Sequence, residues 1–268
     1  MGNFLRPVDL KLKRAEQQIR QLLVEISGWA AANPIRARCE FLDGKLGYRI
    51  VQEEYSTLPA IDEWALILGE CCHNLRTALD NLAFALARLR KDPPERPNAI
   101  AFPIYRDKGT FEKTGRRNID QLPPEAARQI ERIQPFQRDG GVTEGTPEQD
   151  PLLKLQWFNN MDKHRVPSVI LLAPTEIGHG HEVEFRTEEE AAANAPPNVT
   201  IHAGPLEPGA VLFEMRTKHP LAKVKGTTEF RAVIAVETEQ QPVAIESLLP
   251  AVAYYTSVIV NVFRPFFQ

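Results

Sequence analysis

Apolar residues recur at three-and-four spacing in two long stretches of the chain and at near-alternating spacing through its last third. In the first stretch Leu12, Ala15, Ile19, Leu22, Leu23 and Ile26 are separated by Lys, Arg, Glu and Gln, which predicts an amphipathic helix over residues 7–32. Asn33-Pro34 closes it, because the residue before a proline is pushed out of the helical region. Two short alternating runs, 36–42 and 46–52, flank Asp43-Gly44-Lys45, and an Asp-Gly between such runs predicts a hairpin.

The second helical stretch, 62–90, is the longest and most regular. On a wheel of about 100° per residue, Trp64, Leu68, Cys71, Cys72, Leu75, Leu79, Leu82, Leu86 and Leu89 gather on one face, the seam of a helix bundle. Lys91-Asp92-Pro93-Pro94 ends it, and a proline-punctuated connector leads into Phe102-Pro103-Ile104. Pro123-Pro124 opens a short helix, 137–150 reads as a loop, and 152–165 as another helix before Pro167.

From Ser168 the period changes. Residues 169–173, 182–186, 199–203, 211–216 and 228–236 read as strands, 188–198 as a solvated loop, and 243–263 as a closing helix. The fold class predicted is α+β: an N-terminal helical bundle with a short β-hairpin, then a C-terminal antiparallel sheet and a returning C-terminal helix. The expected division is a mainly helical part, 1–166, and a sheet-plus-helix part, 167–268, packed as one unit.

Charge and composition narrow the function. A net charge of −3 argues against a dedicated nucleic-acid binder, which carries a basic face over the whole domain. Three cysteines, two of them adjacent (Cys71, Cys72), make a poor disulfide framework and suit a reducing cytoplasm. Residues 248–263 carry no charge but include Pro250, Thr256, Ser257 and Asn261, so a buried helix or a self-association surface at 243–263 is expected rather than a membrane span. Phosphate-loop, dinucleotide and nucleophile-elbow motifs are absent.

Candidate chemistry concentrates in two places. Opposite the apolar seam of the long helix runs a polar stripe, Glu70, His73, Thr77 and Asp80, bounded by Leu66 and Phe84, with Asn74 and Arg76 beside it. No lysine lies between Asp62 and Arg88, so the stripe is unlike an ordinary solvated face and is expected to look toward another part of the protein. The second is Asn159-Asn160-Met161-Asp162-Lys163-His164-Arg165, the densest polar run, at a helix end. Lys163, His164 and Arg165 there suit a small anion such as phosphate, with a titratable imidazole in their midst. The two segments are expected to meet, which makes His73 and His164 candidate acid/base groups and Glu70, Asn74, Arg76, Asp80, Asn159, Asp162, Lys163 and Arg165 candidate ligand contacts.

The run 69–80, Gly-Glu-Cys-Cys-His-Asn-Leu-Arg-Thr-Ala-Leu-Asp, followed by Phe102-Pro103-Ile104 and then Asn159 to Arg165, resembles a family of bacterial proteins that carries no assigned activity. Its motifs there read G-E-x-x-H-N-L-R-x-A-L-D, F-P-I and N-x-x-D-K-H-R. The resemblance covers about residues 62–166 and implies that His73, Asn74, Arg76, Asp80, Asp162, His164 and Arg165 belong together. By fold analogy alone the helical part is similar to the small helical ribonucleases called HEPN domains. Their arginine-to-histidine spacing is missing at every histidine here.

Three functions follow from these features. The favoured one is a non-enzymatic binding or interaction protein with a polar pocket between 62–90 and 159–165. The alternatives are a phosphate-directed, RNase-like enzyme using His164 or His73 with Arg76, Lys163 and Arg165, and a mononuclear metal site at Glu70, His73, Asp162 and His164. No cofactor is indicated. The expected partner is a small anionic ligand, not a membrane.

Overall fold

A computed structural model describes residues 4–138, 145–162, 169–172, 178–194, 196, 198–201, 206–229, 233–238 and 242–268. The architecture is α+β, and every strand pairing in it is antiparallel. The chain forms two compact units that interleave along the sequence: Met1–Leu23, Asp62–Ser168 and Ile245–Gln268 make the helical unit, and Val24–Ile61 with Val169–Ala244 make the sheet unit. The last helix therefore groups with the first helices, and the early hairpin groups with the late strands.

In the helical unit, α1 (Arg6–Ala32) contributes its first 18 residues, up to Leu23, and α2 (Ile61–Arg90) supplies the central element. Val8, Leu12, Ala15, Ile19 and Leu22 are buried on α1. On α2 the apolar seam is buried as its spacing predicts: Trp64, Leu68, Cys71, Cys72, Leu75, Leu79, Leu82 and Leu86. Shorter elements complete the unit. They are α3 (Lys108–Thr110), a π-helical turn (Phe111–Gly115), α4 (Arg116–Ile119), α5 (Pro124–Arg132) and α6 (Pro151–Asp162). Asp107 caps the first of these by accepting from the Thr110 N–H at 2.7 Å.

The sheet unit begins with β1 (Ala37–Phe41) and β2 (Gly47–Gln52) and continues with β3 (Val169–Leu172), β4 (Gly178–Phe185), α7 (Glu188–Ala193), β5 (Asn198–Ile201) and β6 (Val211–Arg216). It closes with β7 (Leu221–Glu229), β8 (Val233–Val236) and β9 (Val243–Ala244). These strands form three sheets rather than the single sheet expected: β1-β2-β6-β5, β3-β8-β9 and β4-β7. Tyr48, Ile50, Phe213, Met215 and Leu221 form a core cluster, with Val183, Phe185 and Val224 packed against it. The four-stranded sheet thus packs one face on the β4-β7 ribbon. Residues 188–193 form a helix, not a loop: Thr187 accepts from the Glu190 N–H at 3.2 Å, and three glutamates fill the first turn.

The C-terminal helix α8 (Ile245–Phe263) returns to the helical unit. Ile245, Leu248, Leu249, Val252, Thr256, Ile259, Val260 and Phe263 are buried at three-and-four spacing, and Arg264 pairs with Asp9 of α1 at 2.7 Å. The segment Ile245–Phe267 is also long and apolar enough to cross a membrane by length and composition.

Candidate functional site

Two hydrogen-bonded systems engage Glu70, Asn74, Arg76 and Asp80 of α2. The first joins α2 to α1. Lys11 Nζ donates to Asn74 Oδ1 at 2.8 Å, Asn74 Nδ2 donates to Gln18 Oε1 at 2.8 Å, and Gln18 Nε2 donates to the Glu70 carboxylate. Gln18 and Asn74 are buried, and each unpaired buried amide group would cost about 1–3 kcal/mol. Sliding either helix by one turn would break this relay, so it fixes the register of the pair.

The second system is a bracket around the backbone of Phe102. Arg76 Nη2 lies 3.0 Å from Asp80 Oδ1, one turn along the helix, and donates to the Phe102 carbonyl at 2.7 Å. Asp80 Oδ1 in turn accepts from the Phe102 N–H at 2.9 Å. Both polar groups of one residue are thereby tied to one ion pair, while the Phe102 ring is fully buried. Gln134 continues the clamp: its amide donates to the Pro103 carbonyl at 2.9 Å and accepts from the Tyr105 N–H at 3.1 Å. Burial pushes the Arg76 guanidinium below its ordinary pKa, and Asp80 and Tyr105 oppose that shift. Its Nη1 is buried without a partner among the described residues.

The structure thus brings Arg76, Asp80 and the Phe102-Pro103-Ile104 segment together, and separately Glu70 and Asn74 with Gln18. The stripe does not face inward along its whole length, as its composition led us to expect. Glu70 and His73 are exposed, and so are Leu66 (53%) and Phe84 (36%) at its two ends. His73 Nε2 sits 3.4 Å from Thr77 Oγ1, a weak contact within the same helix. Asn159 is buried on α6, and Asn160 accepts from Gln156 Nε2 at 3.0 Å. Asp162 ends α6, and its side chain, like all of Lys163, His164 and Arg165, lies outside the described residues. Among the described residues no three His, Cys, Asp or Glu side chains cluster as metal ligands.

Other polar and ionisable groups are held by partners distant in sequence or by burial. Arg138 Nε meets the buried Asp150 carboxylate at 2.6 Å, and Asp150 also accepts from the Leu152 N–H at 2.8 Å, starting α6. Burial works to lower the Arg138 pKa, but Asp150 and Tyr255 outweigh it and the net direction is upward. The signal was the Asp150-Pro151 pair, a helix-start pattern at the end of a stretch read as loop. In the sheet unit His181 Nδ1 lies 2.8 Å from the hydroxyl of Tyr48, which burial pushes up to about 12. Cys71 is likewise pushed up to about 12 by burial, so it is a packed thiol and a poor nucleophile.

No protein-family model, curated protein or solved structure matches this chain.

Proposed function

We propose that the protein is a binding or interaction protein, and that the polar row of α2 braces its helical unit instead of performing acid/base chemistry. The observation that carries this reading is the Arg76–Asp80 bracket. An arginine tied to Asp80 and the Phe102 carbonyl is not free to hold a phosphate, and an aspartate accepting from the Phe102 N–H is not poised as a base. The bracket also gives the Arg76, Asp80 and F-P-I positions of the resemblance a shared structural role.

The ligand proposed for the helical unit is a small anion held by Lys163, His164 and Arg165, on their sequence chemistry alone. In calorimetry with inorganic phosphate, His164→Ala and Arg165→Ala are expected to weaken binding while folding is retained. His73→Ala should leave both stability and binding nearly unchanged, since exposed substitutions fall within about 0.5 kcal/mol. The RNase-like reading keeps one supporting observation, the exposed His73 beside Thr77. Cleavage of a short RNA by the purified protein, lost in His73→Ala, would overturn the binding reading in its favour.

The outer face of α8 extends the same proposal to self-association. Tyr254, Val258 and Val262 recur at four-residue spacing on it, and Tyr254 is 73% exposed. Sedimentation should show a concentration-dependent dimer that Tyr254→Asp disrupts; a monomer at every concentration would remove α8 as an interface.

A further inference from the structure

The sheet unit contains a cleft of about 560 Å3 lined by Arg36, Arg38, Gln52, Glu53, Glu54 and the Pro208-Gly209 turn. Much of its backbone is already paired. Gln52 donates its N–H to the Ala210 carbonyl at 2.9 Å and accepts from the Gly209 N–H at 3.0 Å, while Glu53 donates to the Arg36 carbonyl at 2.9 Å. Side chains are therefore the main groups the cleft offers to a ligand. Gly209 has φ +86°, and a Cβ there would meet no atom within 4 Å, so that wall is open.

Gln52 is the unusual member. It is 1% exposed, yet among the described residues neither its Nε2 nor its Oε1 has a hydrogen-bond partner of ordinary geometry. Its polar neighbour is Tyr55, whose hydroxyl donates to the Leu206 carbonyl at 3.0 Å and is left able to accept; Gln52 tempers the rise that burial imposes on this phenol without closing a bond of ordinary geometry. A buried amide with both ends unpaired is rare in folded proteins and calls for a specific cause. Binding of a group that both donates and accepts would supply one.

The charges around Gln52 narrow the ligand. Among the described residues the Arg36 guanidinium and the Glu53 and Glu54 carboxylates have no ion-pair partner, whereas Arg38 is shared with Glu40 at 2.8 Å. A lining with free charge of both signs disfavours phosphate, which would meet two carboxylates, and suits a ligand that carries both charges itself.

We propose that this cleft binds a small zwitterion containing a peptide or carboxamide group, of about dipeptide size: its carboxylate on Arg36, its ammonium on Glu53 and Glu54, and its amide on Gln52, whose buried carboxamide turns toward the cleft to pair with it. A volume of this order is ordinary for a small-molecule site, about 300–1,000 Å3. The proposal is independent of the anion expected at Lys163, His164 and Arg165, because it rests on other residues and is tested with a different ligand.

The test is calorimetry on the full chain with L-alanyl-L-alanine, against N-acetyl-alanine amide, inorganic phosphate and adenosine at matched concentration. The expected result is saturable, one-site binding of the dipeptide, weakened about tenfold or more by Gln52→Leu and about fivefold by Arg36→Ala, each tenfold being 1.4 kcal/mol. Arg36 is exposed, so its variant decides the matter even where Gln52→Leu folds poorly. No dipeptide binding at millimolar concentration, equal affinity in Arg36→Ala, or preference for the uncharged amide or adenosine would overturn the proposal.

Discussion

Gly47→Ala is expected to cost about 4 kcal/mol or more, the range reserved for backbone strain or a severe core fault. Gly47 opens β2 with φ +126°, a conformation that L side chains rarely adopt. A Cβ there would lie 2.0 Å from the Met215 carbonyl oxygen, and that oxygen belongs to backbone, which cannot swing aside as a flexible side chain would. Relief would have to come from parting β2 and β6 where Gly47 faces Arg216 and Tyr48 faces Met215. Tyr48 and Met215 are both members of the core cluster, so the damage would spread inward. Urea unfolding monitored by circular dichroism is the check, and a loss under about 1 kcal/mol would mean that β2 does not run so close to β6.

Arg76→Met is expected to cost about 2–4 kcal/mol, because removing one partner of a half-buried ion pair strands the other. Methionine keeps much of the apolar stem but leaves Asp80 and the Phe102 carbonyl without their donor. The estimate sits below that for a fully buried pair because Asp80 is 37% exposed and can recover some hydration. The loss of the unpaired Nη1 returns a little. Phosphate binding should be unchanged in this variant. A stability within about 0.5 kcal/mol of the parent would show that the bracket holds nothing in place.

The parts of this structure that were legible in the sequence are those encoded by local periodicity. The seam of α2 from Trp64 to Leu86 followed from three-and-four spacing, and the β1-β2 hairpin from Asp43-Gly44 between alternating runs. Other features depend on partners distant in sequence. Nothing in the neighbourhood of Asp80 indicates that its carboxylate receives a backbone N–H 22 positions later. Gln17 and Gln18 look alike in sequence, yet only Gln18 turns inward to bridge Asn74 and Glu70. The strand β7 escaped notice because Lys223, Lys225 and Gly226 interrupt its apolar pattern, and α7 because it is short and has no buried residue to set a period. The stripe on α2 misled in one respect: its lack of lysine suggested burial, whereas Glu70 and His73 are exposed.

The central claim, that the polar row of α2 is a structural brace, is tested most directly by a double-mutant cycle on Arg76 and Asp80. Urea unfolding would be measured for the parent, Arg76→Met, Asp80→Asn and the double variant. A brace predicts that each single change destabilises and that the double change costs less than their sum, with a coupling of about 1 kcal/mol or more. Single variants as stable as the parent, with coupling below about 0.3 kcal/mol and impaired phosphate binding, would contradict it and return these residues to a ligand site.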